Sequence, residues 1–97
     1  MSQNVYNKFQ SNGFNQDVLS DYLSELQNGK ITEKEEQLWK FVIANYATDE
    51  FSTKQLEKDF GNAAYATIRS FVLKFEKLNL LSARTLNNRV KYKIRNF

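Results

Sequence analysis

The residues most able to do chemistry lie near the end of this sequence. Arg89-Val90-Lys91-Tyr92-Lys93-Ile94-Arg95 alternates basic with apolar residues without a break. Successive side chains of a strand point to opposite faces. As a strand, this segment carries Arg89, Lys91, Lys93 and Arg95 on one face and Val90, Tyr92 and Ile94 on the other. Four cations on one face attract a polyanion. The neighbouring charges agree. Residues 77–97 also contain Lys77 and Arg84 but no acid, a balance of +6, whereas residues 1–76 hold eight Lys/Arg against eleven Asp/Glu, a balance of −3. Charge alone leaves a second reading open, a solvated strand whose lysines guard an exposed edge against aggregation.

Other chemistries lack their residues. The sequence has no cysteine and no histidine, which excludes disulfides, Cys/His zinc sites and any catalytic dyad or triad built on a thiol or imidazole. Three glycines and no proline leave no phosphate-cradling glycine loop. Glu35/Glu36 and Asp49/Glu50 are carboxylate pairs, but adjacent acids at a helix start or in a loop are usually solvated. No enzyme activity, metal or cofactor is expected. At 97 residues, 41% hydrophobic and 26% charged, the chain reads as one small globular unit. It contains no apolar run near the ~20 residues of a membrane span. Met1-Ser2-Gln3-Asn4 does not open a signal peptide. A cytoplasmic location is the expectation.

The elements that must position the basic strand follow from periodicity and caps. The first sixteen residues are polar, with Val5, Tyr6, Phe9 and Phe14 spaced along them, and read as a loose arm or short helical turn. A first helix is predicted from about Gln16 to Asn28, capped by Asn15, with Phe14 stapled to Leu19. Val18, Leu19, Tyr22, Leu23 and Leu26 form its apolar face, and Gly29 stops it. Thr32 and Glu35 fit a capping box for a second helix reaching about Ala47. Its broad apolar surface, Leu38, Trp39, Phe41, Val42, Ile43 and Tyr46, marks it as central. Asp49-Glu50-Phe51 can add a short strand. Ser52 caps a short third helix, with Gln55 reaching back, and Gly61 ends it. A fourth helix is predicted from Asn62 or Ala63 to Lys77, with Ala64, Ile68, Phe71, Val72, Phe75 and Leu78 on its buried face. Tyr65, beside that stripe, reads as packing, with base stacking as the alternative. Leu80–Thr85 and Arg89–Arg95, joined through the turn Leu86-Asn87-Asn88, make a hairpin, because Asn tolerates positive φ.

A short helix and a longer one joined by a tight turn form a helix-turn-helix unit, here followed by a hairpin. This arrangement resembles the winged helix-turn-helix family. The resemblance rests on Ile31-Thr32-Glu33, Phe51-Ser52-Thr53-Lys54-Gln55-Leu56, Ala66-Thr67-Ile68-Arg69 and Leu78-Asn79-Leu80-Leu81, and covers residues 31–95. Leu78-Asn79 stands where the family often has a lysine-glycine pair. The expected fold is therefore mainly α with a small β-hairpin, a winged helix-turn-helix with an extra N-terminal helix. Residues 1–30 form an arm and helix, and 31–97 the winged domain.

The resemblance implies binding to double-stranded DNA, as in a small transcriptional regulator or an auxiliary plasmid or phage protein. The fourth helix would read bases and the wing would touch backbone. Small Ala63, Ala66 and Ser70 let a helix approach base edges. Arg69 can make a bidentate contact to guanine. Asn62 and Thr67 stand near the helix start. Lys74, Lys77, Arg84, Arg89, Lys91, Lys93 and Arg95 can neutralise phosphates. Leu73 is out of place among them: it can contact a thymine methyl or mark a winged helix that docks a protein partner. The N-terminal helix is too apolar to stand alone. It either packs on the core or, with Val18, Leu19, Tyr22, Leu23, Leu26 and Trp39, forms a homodimer interface.

Overall fold

The structure is a computed structural model and describes residues 16–95, with side chains from Val18 onward. Among the described residues there are four helices and one hairpin: α1 (Gln16–Gln27), α2 (Glu33–Asn45), α3 (Thr53–Phe60), α4 (Tyr65–Lys77), β1 (Leu81–Leu86) and β2 (Arg89–Ile94). The layout is mainly helical and compatible with a winged-helix-like arrangement. No helix among the described residues is long and apolar enough to cross a membrane. The arm and its aromatics, the Asn15 cap and the Phe14 staple lie outside the described residues.

Local chemistry sets most boundaries. The Glu35 amide donates to Thr32 Oγ1 at 3.2 Å and the Thr32 amide donates to Glu35 Oε1 at 2.9 Å. Both halves of the capping box are thus closed, and two otherwise unpaired first-turn donors are satisfied. Ser52 caps α3 by accepting from the Gln55 amide at 3.0 Å. The Gln55 side chain does not complete a box and instead lines a hollow with Asp49 and Asp59. Gly61 takes φ 71°, a left-handed stop that a Cβ would strain. That stop delays α4. Asn62 and Ala63 belong to the turn, and Ala64 caps α4 in an extended conformation without a side-chain bond. After α4, Asn79 turns the chain at φ 63°. Asn87 and Asn88 are both left-handed, at φ 52° and 65°, which is the two-residue hairpin turn that matches strand twist. β1 and β2 pair antiparallel in the register Leu81↔Ile94 to Leu86↔Arg89. The short strand at residues 49–51 reduces to a single bridge, Phe51↔Tyr92.

The core gathers on α2. Trp39 lies between Tyr22, stacked at 5.4 Å, and Phe75, tilted at 5.3 Å. Phe71 meets Phe75 at 4.4 Å, and Tyr46 stacks on Phe51 at 4.8 Å. Aromatic pairs add about 0.5–1.5 kcal/mol each beyond area burial.

One expectation is corrected here. Val18, Tyr22 and Trp39 are fully buried inside one chain and Leu19 nearly so, in the same core as α2, α4 and the hairpin. α1 packs in cis, because its aromatic ring completes the cover over Trp39. Those four residues offer no surface to a second copy. Leu23 and Leu26 remain partly exposed. Phe75→Ala should cost about 3–5 kcal/mol, a large share of the stability of so small a domain. Urea unfolding followed by Trp39 fluorescence measures it.

Candidate nucleic-acid interface

Phe51 brings two distant segments together. Its amide donates to the Tyr92 carbonyl and its carbonyl accepts the return bond from the Tyr92 amide, each at 2.8 Å. This bridge sets the start of α3 beside β2. α4 closes the other side. The result is a groove of about 610 Å³. Ser52, Thr53 and Lys54 come from the start of α3, Tyr65 and Arg69 from the start of α4, and Asn88 to Tyr92 from the hairpin.

The lining includes Lys54, Arg69, Arg89 and Lys91 and no acidic residue. None of these four is in an ion pair among the described residues. Backbone donors add to them. The polar groups of Tyr92 point away from β1 towards Phe51. By the alternation of an antiparallel ladder, the Val90 amide points the same way, into the groove. α4 begins without a side-chain cap, so its first-turn amides are not taken by a cap. Tyr65 and Val90, 39% and 42% exposed, supply apolar wall. Cations, amides and apolar surface in one trough suit a sugar-phosphate strand.

A neighbouring hollow differs in sign. Asp49, Glu50 and Asp59 line it with Asn45, Tyr46 and Gln55. The Tyr46 hydroxyl donates to Asp59 Oδ2 at 2.8 Å. Burial, together with that carboxylate, pushes the Tyr46 phenol well above its usual range.

The expected site residues divide into groups. Arg69, Arg89 and Lys91 meet in the groove, and Ala66, Thr67 and Ser70 are exposed on α4 beside it. Asn62 is in the preceding turn, where its carbonyl accepts from Lys34 Nζ at 3.3 Å, and Ala63 packs partly on the core. Lys77 ends α4, about 18 Å from Tyr65 at 1.5 Å per residue. Lys93 lies on the outer face of the hairpin with Arg84. Three expected phosphate contacts are engaged within the chain. Lys74 pairs with Glu35 at 2.9 Å and donates to the Lys30 carbonyl. Arg84 grips Glu50 through two bonds of 2.8 and 2.6 Å. Arg95 pairs with Asp21 at 2.9 Å and donates to the Asn79 carbonyl. Each of them thus has a carboxylate within hydrogen-bond reach.

Lys54 and Tyr65 were missed by sequence reasoning. Lys54 belongs to the acidic part of the chain, where segment totals hide it. Its place in the first turn of a capped helix was the available signal.

No family model, no curated protein and no solved structure matches this chain.

Burial opposes the charge on Glu35, but the Thr32 amide and hydroxyl and Lys74 together hold its carboxyl below the usual 4.5. A folded-state pKa lowered in this way contributes stability above the unfolded value and loses it as pH falls through the folded one. The urea midpoint should therefore drop on acidification below about pH 4.5, and Glu35→Gln should flatten that drop.

Proposed function

We propose that this chain binds double-stranded DNA as a winged helix-turn-helix protein and acts as a small transcriptional regulator. The observation that carries the reading is the groove, where four cations converge without an acid. One strand's backbone lies along it, held by Lys54, Lys91, Arg89 and the first amides of α4, which has no side-chain cap. α4 enters the major groove, which is wide enough for a helix. Ala66, Thr67 and Ser70 face the bases, and Arg69, at the edge of the groove, contacts guanine.

A docking role for a protein partner is the second reading. It is favoured by Leu73 and Leu86, 46% and 48% exposed, neither of which lines the groove.

Fluorescence anisotropy on labelled duplexes tests the two. Binding should weaken with salt, with a log–log slope of about −0.9 per phosphate neutralised. Lys54→Ala should flatten the slope by about 0.9, whereas Lys40→Ala, which removes an ion pair with Glu36 on α2, should leave it unchanged. Among duplexes selected for binding, Arg69→Ala should relax preference at one base pair, and Lys91→Ala should weaken all sequences alike. Absence of binding at low salt selects the docking role.

A further inference from the structure

We infer that Glu50 is a specificity-determining residue that keeps DNA phosphate off the outer face of the hairpin and confines it to the groove. This rests on the DNA-binding reading above.

The register places the cations. Arg84 pairs with Lys91, and Lys93 pairs with Ser82. Side chains of directly paired residues share a face of the sheet, so Arg84 and Lys91 stand together on one face. Lys93, two residues from Lys91, joins them. Lys91 is the member of this face that also lines the groove, so left alone the phosphate surface would run on from the groove across Lys93 and Arg84. Glu50 changes that. It precedes Phe51, which bridges to Tyr92, so it stands at the edge of the sheet beside Lys93. Arg84 is on β1, at the far side of β2. Its guanidinium reaches over β2 and binds Glu50 through both carboxylate oxygens. The pair therefore lies across the basic face. The Arg84 bond leads in holding the Glu50 carboxyl below its usual range, with Lys93 and Lys91 adding attraction.

A stable hairpin does not require this arrangement. The pair is open to solvent on the Arg84 side, with side chains 56% and 31% accessible, and pairs screened by solvent contribute little to stability. Its effect on an incoming phosphate is larger. Glu50 engages the two-pronged donor that phosphate would use and repels the phosphate itself. A binder discriminates by disfavouring the wrong mode as well as favouring the right one.

The test compares the full chain with Glu50→Gln on a duplex selected for binding and on a scrambled one, across several salt concentrations. Glu50→Gln should bind the scrambled duplex several-fold more tightly, with a slope steeper by about 0.9 or more, and the selectivity ratio should fall. An unchanged slope in a folded variant that still binds the selected duplex overturns the inference and spares the DNA-binding reading. No binding by the unmodified chain at low salt overturns both. If Glu50→Gln melts early, Arg84→Gln decides. Its slope should match the unmodified chain, because Arg84 is already engaged. Flattening by about 0.9 would make Arg84 a phosphate contact and overturn the inference.

Discussion

The two backbone hydrogen bonds between Phe51 and Tyr92 fix where the hairpin stands relative to the helices. A two-stranded hairpin is barely stable by itself. This one is held at its base by that bridge and by burial of Tyr92 and Ile94. Phe51 is fixed in turn by stacking on Tyr46, which belongs to the end of the central helix. One residue later Ser52 caps α3. The same short segment thus anchors the hairpin, starts a helix and forms a wall of the groove. A shift of one residue there would turn Tyr92 outward and swap the basic and apolar faces of the strand.

The cations of this chain perform two different tasks. Lys74, Arg84 and Arg95 each join segments far apart in sequence: α4 to the start of α2, the hairpin to the loop before α3, and the end of β2 to α1. Surface ties of this kind contribute little to stability, so their main consequence is orientation. Lys54, Arg69, Arg89 and Lys91 are left to set the potential of the groove. Acids gather around the hollow that holds Asp49 and Asp59. The small net charge of +3 therefore hides a basic groove and a separate acidic hollow, and a polyanion meets them very differently.

Element order was legible because local rules governed it. Thr32 with Glu35, Ser52, Gly61 and the Asn87-Asn88 turn each act within four residues, and each appears in the structure at its expected place. α4 began later than periodicity suggested, because helical spacing does not reveal that Ala64 must be extended once Gly61 has turned the chain. The partners of the long basic side chains were not legible. Arg84 finds Glu50 only because the fold lays residue 51 against residue 92, and nothing local in either segment announces it. Lys54 and Tyr65 were hidden for the same reason, since a groove made by three separate elements has no signature in any one of them. Tyr22 and Trp39 show the reverse case. An apolar helix face looks the same whether it meets its own chain or another, and only the packed core assigns it.

The most direct test of the central claim is a map of backbone amide shifts as a short DNA duplex is added to the labelled chain. Perturbations should concentrate at Thr53, Lys54, Tyr65 to Arg69 and Asn88 to Lys91, with little change at Asn45, Asp49 and Asp59 around the acidic hollow. Shifts centred on Leu73, or spread evenly over groove and hollow, would contradict that claim.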